Sequence, residues 1–144
     1  MRIRGRSTPW QQMERMFYNG LSQAGVGVNQ VQRLDEQSMH IAHIIREAEK
    51  KTNNKDKKTI IEPTDEACED WGNQVAGRAH LMGTMANCTP SYFNSEGAAD
   101  KMTPEQQGAM ARASIWGSGY LSYAKILREW REQGGLEGFE ITAG

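Results

Sequence analysis

The sequence predicts a mainly α-helical chain with a few short strands, read as one region over residues 16–144 behind an irregular segment at 1–15. Three observations carry this. Apolar residues recur at spacings of three and four in several stretches, the mark of helices with one buried face. Helix-start chemistry stands at two places: Thr64 before Asp65 and Glu66, and Thr103-Pro104-Glu105-Gln106, which spells a capping box with proline at the first helical position. Strand composition is confined to short runs such as TIIEP and LEGFEIT.

Taken in order, MRIRGRSTPWQQMER shows no period and is expected to be irregular. Met16 to Tyr18 read as the end of a buried strand. Gly20, Gly25 and Gly27 follow, where the backbone can pass close to another body. Gly25 and Gly27 supply two glycines of a dinucleotide-binding G-x-G-x-x-G, but position 30 is Gln, so a close-packed turn is the reading. A helix is expected from about Leu34 to about Lys51, with Leu34, Ile41, Ile44, Ile45 and Ala48 on one face. Asp35 and Glu36 would lie in its first turn and Lys50 and Lys51 in its last, both suiting the helix dipole. His40 and His43 stand one turn apart without a third ligand at metal-site spacing, so a packing role is expected. KKTNNKDKK reads as a solvated loop.

The helix capped by Thr64 carries Ala67, Trp71, Val75, Ala79 and Met82 as its core stripe, with Glu66, Glu69 and Asp70 on the wet side. NCTPSYFNSEG, residues 87–97, is too aromatic for an idle linker and too broken for a helix. The helix opened by Thr103 is weakened by Gly108. The last helix presents Tyr120, Tyr123, Ile126, Leu127 and Trp130 inward and Lys125, Arg128 and Arg131 outward, and Gly134-Gly135 ends it.

Net charge is −1 over 144 residues, which argues against nucleic acid or an anionic membrane as partner. No apolar run approaches membrane-spanning length. Cys68 and Cys88 read as reduced cytoplasmic thiols. Leu, Ile, Val and Phe number only 22, so the chain buries little area of its own and is expected to be part of something larger.

Four phrases in order resemble the C-terminal part of the Baeyer–Villiger flavoprotein monooxygenases, which carry FAD and use NADPH and oxygen to insert an oxygen atom beside a ketone. FYNGLSQAGVGVN is similar to the segment leading past the flavin, and LDEQSMHIAHII to the helix after it. NCTPSYFNSEG is similar to the loop Cys-Thr-Pro-Gly-Tyr-Tyr-Asn-x-Glu-Gly, with Ser91 and Phe93 as departures. ILREWREQGGLEGFEIT is similar to the closing helix and tail.

The resemblance implies a C-terminal fragment of an α/β flavoprotein with two dinucleotide-binding domains. It places Gln23, Ala24, Gly25 and Asn29 beside the flavin and Gln30 on the substrate side. Thr89, Pro90, Tyr92, Phe93 and Asn94 would form a wall or lid, and no residue is assigned a catalytic role. Both G-x-G-x-x-G motifs and the Phe-x-Gly-x-x-x-His-x-x-x-Trp-Pro fingerprint of that family are missing from this sequence. The expectation is therefore a chain that is inactive alone, holds neither FAD nor NADP(H) tightly, and works on a ketone only when completed, for example by an upstream chain. The rival expectation is a small helical interaction module that buries its apolar stripes against a partner.

Overall fold

The structure, a computed structural model, describes residues 17, 20, 22–52, 59–79, 89 and 101–143. Four helices and two short strands are described: α1 (Gln30–Thr52), β1 (Thr59–Pro63), α2 (Asp65–Ala76), α3 (Pro104–Arg112), α4 (Gly119–Gln133) and β2 (Phe139–Ala143). The mainly helical expectation holds, and TIIEP and the end of LEGFEIT are the two strands. They pair antiparallel, with Ile61 opposite Ile141. Phe17 lies in no strand; Met16 and Tyr18 lie outside the described residues.

α1 begins four residues before the expected Leu34. Asn29 is the reason: its Oδ1 accepts the backbone N–H of Gln32 at 3.2 Å and so caps the helix. The periodicity could not show this first turn, because the buried residue there is Arg33. Asp35 and Glu36 accordingly fall beyond the first turn, which holds no acidic residue, and the expected dipole pairing is not made. Lys50 and Lys51 do stand in the last turn.

α2 is capped as predicted: Thr64 Oγ1 accepts the Ala67 N–H at 3.1 Å, with Asp65 and Glu66 behind it. It stops at Ala76, and Ala79 sits in the turn that follows. Met82 lies outside the described residues. α3 has the full capping box between Thr103 and Gln106, with Pro104 at its start, and buries no residue. α4 ends where Gly134 takes a left-handed φ of 70°.

Among the described residues, two clusters form the core. In the first, Ala24, Val75, Trp116, Tyr123 and Leu127 gather, with Trp71 and Ile126 against them. Trp71 stacks on Trp116 with centroids 5.0 Å apart, and the Arg78 guanidinium lies 4.2 Å from the Trp116 ring centroid. The second holds Ile44, Ala48, Ile61 and Leu136, flanked by Phe17, Trp130, Phe139 and Ile141. α4 serves both, through Tyr123 and Leu127 at one end and Trp130 at the other. The predicted inner faces of α1, α2 and α4 are therefore the faces that pack.

Arg131 departs from its predicted outward position. Its side chain is 16% exposed and, with Arg128, grips the buried Glu36 carboxylate of α1. A buried carboxylate needs compensation, and two guanidinium groups supply it. Burial pushes the Glu36 carboxyl up, but the hydrogen bonds and charges of Arg128 and Arg131 outweigh it and hold the carboxyl below its usual range. His40 and His43 pack as expected, edge-on to Trp130 at 4.9 and 6.2 Å. Among the described residues, no group of His, Cys, Asp and Glu is placed to hold a metal ion. No helix among them is long and apolar enough to cross a membrane.

Candidate functional site

The glycine turn is a packing device before it is anything else. A Cβ at Gly25 would lie 2.6 Å from Tyr123 Cβ and 2.9 Å from Tyr120 Cα; one at Gly27 would lie 2.9 Å from Tyr120 Cβ. Both glycines are there because α4 runs against them. The turn is also laced to the chain before α4. Gln23 N donates to Ser114 O at 2.7 Å, Trp116 N to Ala24 O at 2.9 Å, and Tyr120 N to Val26 O at 3.0 Å.

This lacing decides which predicted residues are reachable. Ala24 has no accessible surface and Gly25 is buried. Gln23, half-buried with a φ of 57°, spends its side-chain amide on Arg112 O at 2.8 Å. Asn29 and Gln30 are exposed, Asn29 as the cap of α1 and Gln30 as that helix's first residue. The rim beside them is apolar: Val26, Val28 and Val31 are exposed, Val28 completely.

Opposite this rim stands the N-terminus of α4. Between the two lies a cleft of about 430 Å³, lined by residues 26–29, Gln32 and Ser118 to Leu121. Leu121 is 81% exposed. The cleft pairs apolar walls with a few amide and hydroxyl groups. The α4 wall was not legible as site in the sequence, where Tyr120 reads only as core. The exposed aliphatic Leu121, off the apolar face of an amphipathic helix, is the signal that points to it.

Thr89 is exposed. Pro90, Tyr92, Phe93 and Asn94, expected to form a wall or lid with it, lie outside the described residues. Cys88 does too. Cys68, on α2, is a free and exposed thiol.

Comparison with known proteins gives one consistent answer. No protein-family model matches the chain. It is 43% identical over 129 residues to the FAD-binding monooxygenase ausC of Aspergillus calidoustus, covering 88% of this chain and 19% of that one. It is 42% identical over 128 residues to the FAD-binding monooxygenase prhK of Penicillium brasilianum, covering 88% of this chain and 20% of the relative. Among solved structures it matches the polycyclic ketone monooxygenase from the thermophilic fungus Thermothelomyces thermophila, with a TM-score of 0.75 and 33% identity. That match covers 86% of this chain and 18% of the other. The chain thus resembles FAD-binding monooxygenases over most of its length, and it spans 19–20% of the length of the first two relatives.

Proposed function

We propose that this chain is the C-terminal, mainly helical part of a flavin-dependent monooxygenase that uses NADPH and oxygen to convert a ketone to an ester or lactone. The dinucleotide-binding domains would come from other sequence. The observation that carries the proposal is the cleft between the glycine turn and α4, in a chain 43% identical to a FAD-binding monooxygenase.

The cleft suits a flat, polar-edged ring. Val26, Val28 and Leu121 offer apolar surface, and the side chains of Asn29, Gln32 and Ser118 offer hydrogen bonds at its margin. FAD, when bound, would supply the activation of oxygen. The chain's own residues bind, orient and exclude water. The turn over residues 23–29 brings backbone close to the cofactor, through its exposed edge, because Gly25 and Gly27 let α4 support it from behind. Gln30 is exposed at the head of α1, and the resemblance implies that it would lie on the substrate side. Thr89, Pro90, Tyr92, Phe93 and Asn94 would keep the role that the resemblance implies, a wall or lid that excludes water. No residue of this chain is assigned a bond-making role.

The test is a graft. Residues 17–143 replace the matching segment of the Thermothelomyces polycyclic ketone monooxygenase, and ketone-dependent NADPH oxidation and ester formation are measured. Turnover by the graft, with none from the 144-residue chain mixed with FAD, NADPH and a ketone panel, is the expected result. A chain that retains flavin and oxidises ketones unaided would overturn the division of labour. A correctly folded graft without flavin would overturn the functional reading itself.

A further inference from the structure

Two buried polar residues of α1 converge on one backbone carbonyl. Arg33 is 4% exposed and Gln37 7%, one helical turn apart on the same face. Arg33 Nη1 donates to Gly20 O, and Gln37 Nε2 reaches the same oxygen at 3.1 Å. The Gln37 amide also lies 3.2 Å from the Tyr123 hydroxyl of α4. Tyr123 in turn presses its Cβ against the site of Gly25. These contacts join α1, α4 and the glycine turn at one point.

Burying a guanidinium and an amide is costly, and apolar side chains would give a more favourable core there. What the polar pair adds is direction, since hydrogen bonds fix angles that apolar contacts leave loose. The other side of the turn is already fixed: Ser22 Oγ donates to Ala113 O at 2.9 Å, and Gln23, Ala24 and Val26 are tied to residues 112–120. Arg33 and Gln37 tie the chain just before the turn, at Gly20, to α1. The turn is thus held from both sides, and its far edge, residues 26–29, forms one wall of the cleft.

Resting on the function proposed above, we infer that Arg33 and Gln37 are positioning residues: by clamping the Gly20 carbonyl they hold in place the turn that forms one wall of the cleft. They touch neither cofactor nor substrate. The sequence pattern hid them, because Gln37 interrupts an apolar stripe and Arg33 precedes its first apolar member.

Two measurements test this. Hydrogen exchange on the 144-residue chain compares the unsubstituted protein with Arg33→Met, Gln37→Leu and the conservative Arg33→Lys. Amides at 22–29 are expected to exchange about tenfold faster in the first two variants, with residues 40–51 and 123–133 unchanged and Arg33→Lys partly restored. Uniform acceleration, or none, would overturn the clamp. In the graft, Gln37→Leu is expected to raise the ketone KM about fivefold and to lower the ester formed per NADPH consumed, with kcat little changed. Unchanged KM and coupling in an active graft would overturn the positioning role. If the unsubstituted graft is itself inactive, the functional reading fails, and the exchange experiment still decides the clamp.

Discussion

His40 shows how a side chain can be structural and yet report on pH. It sits against Trp130 with Arg131 near, and burial first, then the charges of Arg131 and His43, push its pKa down from 6.5 to about 4, against a smaller opposing pull from Glu36. Its folded pKa is depressed, so the unfolded chain takes up the proton first. Stability is therefore complete above about pH 6.5 and falls as pH drops toward about 4, by up to about 1.4 kcal/mol per pH unit. His43 is shifted the same way, by burial first. Urea midpoints between pH 7 and 5 should fall in the unsubstituted chain, and His40→Leu should flatten most of that slope. A slope that survives His40→Leu intact places the pH dependence elsewhere. Gly25 supports a steric prediction. A methyl there meets Tyr123 Cβ at 2.6 Å and backbone at 2.9 Å, so Gly25→Ala should cost about 1–3 kcal/mol by overpacking, read in the same urea titration.

Between elements, the α1–α4 seam turns on Glu36. Glu36→Ala would leave Arg131 without its carboxylate and should cost about 3 kcal/mol in chemical denaturation. The Glu36 carboxyl is held below its usual range, so the stability it contributes is present above that range and is lost as pH falls through the folded value. That loss sets in at the lower end of the window set by His40 and continues below it. α3 is the opposite case. It buries nothing, so its cap matters more than its packing: Thr103→Ala should cost about 1 kcal/mol and show as faster amide exchange confined to residues 104–112. These two seams also show what could be read from the sequence. Thr103, Gln106, Thr64 and Gly134 act through neighbours in the chain, and each was legible. Arg131 and Glu36 act through each other across 95 positions, and spacing along one helix placed Arg131 on the wrong face. The site divides the same way. The turn at 23–29 stood out by its glycines and by resemblance, but the α4 wall needed the fold to bring Leu121 opposite Val28.

At the scale of the molecule, the exposed apolar rim decides how the chain relates to a larger protein. Val26 and Val28 are exposed on one side of the cleft and Leu121 on the other, and α4 contributes side chains to both core clusters. A side chain fully in water contributes little to folding, so Val28→Ser should change the stability of the 144-residue chain by no more than about 0.5 kcal/mol. In the graft, the same side chain would line the cofactor cleft, and its loss would remove apolar contact and admit water. Val28→Ser should then lower flavin retention and the ester yield per NADPH, although the isolated chain is indifferent to it. The contrast separates the two readings of this chain. A self-sufficient helical module whose rim meets nothing would tolerate serine in both settings. A segment whose rim completes a flavin site would tolerate it only alone. Equal tolerance in the isolated chain and in an active graft would remove Val28 from the site and leave the cleft without its most exposed wall.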